Sequence, residues 1–187
     1  MGSGRKQYVI AVCGRKDSGK TTLIERMIRD LSERGLKTAV IKHDGHDFTC
    51  DIPGTDSDRF MEAGAAGAAV YSASQMFVRR TLSGKEREDA GTQQEFGMRL
   101  LPYFPEADVV IIEGMKSSPV RKIEVVRQGI GTAPVSEPEG RVLIVTDLPK
   151  ENFQEPVAGF EEMDRILGAV LENGSADERL AGEARNE

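Results

Sequence analysis

The chain has 187 residues, a net charge of −6, two cysteines and no tryptophan. This length supports one domain with a substantial core, and the acidic balance argues against a general nucleic-acid binder. Two cysteines build no disulfide framework, no apolar run approaches the roughly 20 residues of a membrane span, and the opening Met-Gly-Ser-Gly-Arg-Lys is neither a signal peptide nor a myristoylation site, so a reducing cytoplasm is the expected compartment.

Residues 1–6 read as a polar tail. Tyr8-Val9-Ile10-Ala11-Val12-Cys13 is almost wholly apolar, as expected of a strand buried on both faces. Gly14-Arg15-Lys16-Asp17-Ser18-Gly19-Lys20-Thr21 follows, in the pattern G-x-x-x-x-G-K-T. Leu23, Ile24, Met27, Ile28 and Leu31 then recur at helical spacing, with Glu25, Arg26, Arg29 and Asp30 on the other face and Gly35 as a C-cap stop. Lys37 to Lys42 predicts a second strand. A polar stretch from His43 to Asp58 follows, longer than an ordinary connection. Ser57 or Asp58 is the expected cap of a short helix through Arg59 to Glu62, ending near Gly64.

Ala68 to Ser72 and Gln75 to Leu82 read as strands, and the charged segment Ser83 to Thr92 as exposed. Glu95 to Leu101 has a helical pattern that stops before Pro102. Asp108 to Gly114 is a second strongly buried strand. Lys122-Ile123-Glu124-Val125-Val126 alternates, which predicts a more exposed or edge strand. Arg141 to Val145 is again buried and ends in Thr146-Asp147; Glu161 to Leu171 is an amphipathic helix. Strands alternating with helices imply a three-layer α/β fold with a mostly parallel, partly mixed sheet. The expected organisation is one domain over residues 7–171 between a tail at 1–6 and a polar, acidic tail at 172–187.

The Gly-rich run reads as a P-loop; the plainer alternative is an ordinary Gly-rich turn between strand and helix. Its glycines let backbone N–H groups converge on a phosphate, and the helix behind it adds the positive end of its dipole. The expected phosphate cradle is Gly14, Lys16, Asp17, Ser18, Gly19, Lys20, Thr21 and Thr22, with Lys20 on the β- and γ-phosphates and the Thr21 hydroxyl on Mg²⁺. Glu113, at a strand end beside Gly114, is the expected acid that holds Mg²⁺ through water; the plainer alternative is a strand-terminal Glu facing solvent. Asp147 also ends a strand. Its carboxylate can accept from guanine N1–H and the N2 amino group, which adenine cannot offer, although the Asn-Lys-x-Asp motif is absent and a turn-initiating Asp before Pro149 is the alternative.

The loop from His43 to Asp58 holds both histidines, Cys50 and five acids. Three readings stand for it: a transition-metal site from His43, His46 and Cys50, a switch-like loop meeting the γ-phosphate, Mg²⁺ or substrate, or a solvated surface loop.

Four segments together resemble the family of molybdopterin-guanine dinucleotide biosynthesis protein B, MobB. They are the P-loop through Leu23; Ile41-Lys42-His43, His46-Asp47, Asp51-Ile52-Pro53-Gly54-Thr55-Asp56-Ser57 and Ala63-Gly64-Ala65; Ile112-Glu113-Gly114-Met115-Lys116; and Thr146-Asp147-Leu148-Pro149. The likeness covers about residues 8 to 171. Thr55 stands where the family usually has Lys, which removes one positive charge, and Met115 replaces its usual Phe. The resemblance implies a P-loop GTP-binding protein with Mg²⁺, weak GTPase activity and a homodimeric state. It also implies a MobA-type guanylyltransferase partner and leaves direct molybdopterin binding open; no nucleic-acid or membrane partner is expected from the acidic balance and the short apolar runs.

On this reading Lys20, Glu113 and Asp51 carry the catalytic roles, with His43 and Asp56 as further candidates near the γ-phosphate. No glutamine is placed to orient a hydrolytic water, so hydrolysis is expected on the order of 10⁻² s⁻¹ or slower. The rival functions are a small-molecule kinase with Arg79-Arg80 and Lys85 to Arg87 in a lid, and a metallochaperone-type GTPase using His43, His46 and Cys50.

Overall fold

The structure, a computed structural model, describes residues 7–43, 48, 50–82, 84 and 93–172. The tails at 1–6 and beyond 172, His46, Lys85, Arg87 and most of the charged segment 83–92 lie outside the described residues. In chain order the elements are β1 (Tyr8–Gly14), α1 (Lys20–Glu33), β2 (Thr38–Lys42), α2 (Asp56–Glu62), β3 (Gly67–Tyr71), β4 (Met76–Arg80), α3 (Gln93–Arg99), β5 (Val109–Glu113), β6 (Lys122–Val126), β7 (Arg141–Thr146), β8 (Val157–Ala158) and α4 (Met163–Leu171). Short 3-10 turns cover Leu101–Tyr103 and Lys150–Asn152. The chain forms two compact units, one from residues up to His43 together with those from Gln93 onward, the other from Asp44 to Thr92.

The first unit is a six-stranded sheet in the order β2-β5-β1-β6-β7-β8, with every pairing parallel. The side-chain alternation of β1 divides its core. Ile10 and Val12 face Leu23, Ile24, Met27 and Leu31 of α1 and Ile166, Leu167 and Val170 of α4. Val9, Ala11 and Cys13 face the other layer, with Val110 and Ile112 of β5 and the half-buried Met98, Leu101, Phe104 and Met115.

Helix α1 has Gly19 at its N-cap in the left-handed region (φ 93°), with no side-chain cap hydrogen bond. A missing cap costs about 1 kcal/mol, whereas each fully buried Leu, Ile or Met contributes roughly 1.5–3 kcal/mol. The four buried side chains of α1 therefore hold the helix while its N-terminal N–H groups stay available. At its other end Gly35 has φ 76°, and the N–H groups of Gly35 and Leu36 close on the Ser32 and Leu31 carbonyls.

Strand β6 differs from the expectation of an exposed or edge strand: all five of its residues are buried, and it lies between β1 and β7. Its polar positions face covering segments, not water. Lys122, with no exposed surface, donates from Nζ to the carbonyls of Ser118, Glu137 (3.2 Å) and Glu139 (2.7 Å). Glu124 Oε1 accepts from the Val135 N–H at 2.9 Å. Alternation of charged and apolar residues marks two different faces, but it does not distinguish water from a layer of backbone carbonyls and amides.

The second unit contains α2 and the antiparallel hairpin β3–β4, paired from Gly67↔Arg80 to Tyr71↔Met76. The N-cap of α2 is Thr55, not Ser57 or Asp58. Both of those side chains are drawn elsewhere: Ser57 Oγ donates to Asp51 Oδ1 (3.1 Å), and Asp58 Oδ2 accepts from the Gly54 N–H (2.9 Å).

Candidate functional site

The carboxyl edge of the parallel sheet carries the predicted phosphate loop. Gly14 (φ 146°) permits a contact no other residue would: a Cβ there would lie 2.6 Å from the Val125 carbonyl oxygen and 2.8 Å from Ser18 Oγ. Asp17 adopts φ 61°, and Met115, in the loop after β5, adopts φ 63°. Left-handed backbone at a non-glycine residue costs on the order of 1–3 kcal/mol and gathers at ligand clamps. Ser18 is buried with its Oγ unpartnered, while Lys16, Asp17, Thr21 and Thr22 are exposed. Lys20 Nζ donates to the Arg15 carbonyl at 2.6 Å, which holds the ammonium over the loop. An uncapped helix start, a tight glycine cradle, an orphaned buried hydroxyl and one lysine make an arrangement suited to an anion.

Glu113 ends β5 in register with Val12, two residues before Gly14. The Gly114 N–H donates to the Val12 carbonyl (3.0 Å), and Cys13 Sγ donates to the Gly114 carbonyl (2.6 Å), so the two strand ends are tied together. The Thr21 hydroxyl and the half-buried Glu113 carboxylate are hard oxygen donors of the kind Mg²⁺ takes. Burial, with Glu124 adding to it, pushes the Cys13 thiol up to about 12. Native protein at pH 8 is therefore expected to give one fast-reacting thiol per chain with an aromatic disulfide reagent, the exposed Cys50, and a second only after denaturation.

Asp147 follows β7. Its Oδ1 accepts from the Gln128 N–H at 2.7 Å, and its Oδ2 lies 3.7 Å from Arg127 Nε. Between Asp147 and the start of α1 runs a cleft of about 630 Å³, lined among others by Gly19, Thr22, Arg127, Asp147 and Phe160. Such a volume falls within the range of small-ligand pockets. Arg127 Cζ lies 4.8 Å from the Phe160 ring centroid. A bidentate pair between Arg26 and Glu161 (3.1 and 2.9 Å) closes one side. In the turn beside it Glu162 accepts from the Gly159 N–H (2.6 Å) and from Lys150 (2.8 Å), which together hold its carboxyl below the usual value. The cleft thus brings Gly19, Thr22 and Asp147 together. Sequence reasoning missed Arg127 and Phe160, which stand in no motif; the one available signal was the position of Arg127 immediately after a strand.

Asp51 belongs to the second unit, and its carboxylate is fully engaged there. Oδ1 accepts from the Ile52 N–H (2.9 Å), Thr55 Oγ1 (3.2 Å) and Ser57 Oγ (3.1 Å), and Oδ2 lies 3.5 Å from Arg79 Nη1. Arg79 Nη1 also donates to Asp58 Oδ1 at 2.9 Å. The Gly54 N–H, followed by Arg79, holds the Asp58 carboxyl below its ordinary value. Arg79 is therefore committed inside this loop. Asp56 is exposed and lies 3.7 Å from Arg59, and His43 is exposed at the end of β2 in the first unit. Among the described residues no three His, Cys, Asp or Glu side chains gather as a metal site. Also among the described residues, no helix is long and apolar enough to cross a membrane.

A strand–loop–helix phosphate cradle at the carboxyl edge of a parallel sheet, with acids ending β5 and β7, defines a P-loop protein of the three-layer α/β class. The family model of molybdopterin guanine dinucleotide synthesis protein B, MobB, matches residues 9–147, and the chain belongs to that family. It is 33% identical over 144 residues to a molybdopterin-guanine dinucleotide biosynthesis adapter protein of Haemophilus influenzae, covering 76% of each chain. It is 30% identical over 166 residues to the protein of the same name from Escherichia coli, covering 88% of this chain and 91% of that one. Among solved structures, a molybdopterin-guanine biosynthesis protein B superposes with a TM-score of 0.65 at 26% identity, over 87% of this chain and 97% of that one. Bacillus subtilis MobB superposes at 0.61 and 26%, over 89% and 99%.

Proposed function

We propose that the chain is a GTP-binding adapter in the biosynthesis of molybdopterin guanine dinucleotide. The observation that carries this reading is the cleft that joins the phosphate loop to Asp147. Lys20 and the backbone of residues 14–22 hold the β- and γ-phosphates. Thr21 and Glu113 would hold Mg²⁺, which when bound offsets phosphate charge. Asp147 selects guanine. Its Oδ1 already takes one backbone N–H, and a carboxylate offers about four acceptor positions, so capacity remains for the two donors of the base. Glu113 and Lys20 support slow hydrolysis. Asp51 is assigned to anchoring the 51–58 loop, because its oxygens are engaged by that loop and Arg79. The family's adapter role in molybdopterin guanine dinucleotide synthesis supports a MobA-type guanylyltransferase as partner, served by a cytoplasmic homodimer.

The test is calorimetric titration with GTP and ATP, each with Mg²⁺, on the wild type and on Asp147→Asn. The Asn amide keeps an acceptor for Gln128 but can turn its NH₂ toward the donors of guanine. Asp147 is exposed in the cleft and is covered by the base it pairs with; a group left mispaired there costs about 1–3 kcal/mol, so the wild type is expected to prefer GTP by roughly five- to hundredfold and Asp147→Asn to lose that margin. Equal wild-type affinity for the two nucleotides would sink the guanine assignment.

A further inference from the structure

Arg127 lies where a nucleotide spanning this cleft has to pass. In the sheet order, β6 lies between β1, which leads into the phosphate loop, and β7, which Asp147 follows. Two strand spacings, roughly 10 Å, separate the phosphate end from the base end. The middle of that path lies over the carboxyl end of β6, and Arg127 is the first residue after it. A Cβ placed on Gly19 would lie 3.1 Å from Arg127 Nη1, so the guanidinium sits directly beside the start of α1.

That position is electrostatically costly in the empty cleft. The start of α1 is the positive end of a helix dipole and has no side-chain cap. Among the described residues, a guanidinium there is offset by the Phe160 ring at 4.8 Å and by an ion pair with Asp147 Oδ2 at 3.7 Å, a separation too long for a hydrogen bond. About half of the side chain is exposed. Its backbone is well held: the Arg127 carbonyl accepts from Ile130 and Gly131 at 3.1 Å each, and the next N–H is bonded to Asp147. The residue is thus a firmly mounted cation between two parts of one ligand site, held on the anionic side by a long, half-exposed ion pair with Asp147 at 3.7 Å.

We infer that Arg127 is a nucleotide-binding residue that meets the α-phosphate at the ribose junction, supplying a positive charge that the P-loop motif does not contain. The Phe160 ring aims the guanidinium along the cleft. The assignment rests on the nucleotide reading above and adds a residue no motif identifies.

The test compares wild type, Arg127→Ala and Arg127→Lys by calorimetry with Mg²⁺ and GTP, GDP or ATP. GMP and guanosine are also compared as competitors against GDP. A lost charge-assisted contact is expected to weaken GTP and GDP alike by roughly tenfold or more in Arg127→Ala, and Arg127→Lys should recover part of the loss. The GTP-to-ATP ratio should stay at the wild-type value, because the contact is made to phosphate. The advantage of GMP over guanosine should shrink in Arg127→Ala. Unchanged or tighter nucleotide binding by Arg127→Ala, an unchanged GMP advantage, or a collapse of the GTP-to-ATP ratio would each overturn the assignment. If the wild type binds no nucleotide, the proposed function falls and takes this residue with it. If the wild type binds and Arg127→Ala matches it, only the Arg127 assignment falls.

Discussion

Lys20→Ala should abolish most of the affinity for Mg²⁺·GTP while leaving the fold intact. Hydrogen bonds to charged groups contribute about 1.5–3 kcal/mol each, and Lys20 is assigned to two phosphates, so the expected loss is about 3–6 kcal/mol, or a hundredfold to over ten-thousandfold. The side chain does little for the empty protein, because its bond to the Arg15 carbonyl is exposed. The melting temperature without nucleotide should therefore shift by only a degree or so. The upward shift that saturating GTP gives the wild type should vanish in the variant, since that shift follows ligand concentration over Kd. Calorimetry and a thermal scan with and without GTP read both effects. A Lys20→Ala protein that binds normally removes the phosphate-loop assignment.

The largest expected effect on stability belongs to Lys122→Met. The Met stem replaces the aliphatic part of the lysine, so packing is largely kept and the loss isolates the ammonium. Three carbonyls, those of Ser118, Glu137 and Glu139, lose their donor. Each buried acceptor left unmade costs about 1–3 kcal/mol. Partial rehydration of two chain segments near the surface moderates the sum to roughly 3–5 kcal/mol. At about 2–4 °C per kcal/mol for a chain of this size, the melting temperature should drop by roughly 6–20 °C.

Alkaline pH separates this lysine from its neighbour. Burial lowers the pKa of Lys122 below its ordinary 10.5, so the unfolded chain holds that proton more firmly, and stability rises with pH from the depressed folded value up to 10.5. The Cys13 thiol runs the other way. Its folded value of about 12 exceeds the ordinary 9.0, so its contribution is full below pH 9 and is lost as pH rises from there toward 12. Each group contributes about 1.4 kcal/mol per pH unit where it titrates, and the two slopes cancel in their overlap. Lys122→Met should unmask the Cys13 limb as a steeper fall of stability above pH 9 in urea titrations. Unaltered pH dependence would show that Lys122 is not the charged, carbonyl-bound group described above.

Strands β1, β5 and β7 were legible because they are buried on both faces and read as unbroken apolar runs. The turns at Gly35 and Gly64 were legible because each requires a positive φ. Strand β8, two residues long, carries no periodic signal of its own. The environment of β6 could not be read, because Lys122 Nζ and Glu124 Oε1 meet backbone groups that include Val135, Glu137 and Glu139, 11 to 17 residues further along the chain.

The sequence by itself determined the strand–loop–helix phosphate cradle, the acids at the ends of β5 and β7, and the family. The cradle and the two acids rest on chemistry within a few consecutive residues: a glycine where the backbone must turn, a lysine at fixed spacing, a carboxylate where a strand stops; the family rests on the order of four such segments. Only the tertiary structure decided that β6 lies inside the sheet and that Arg127 and Phe160 line the same cleft as Gly19 and Asp147. The reason is strand order. Neighbours in a parallel sheet are separated in sequence by whole crossover connections, so which strand end stands beside the phosphate loop is settled by packing, not by local pattern.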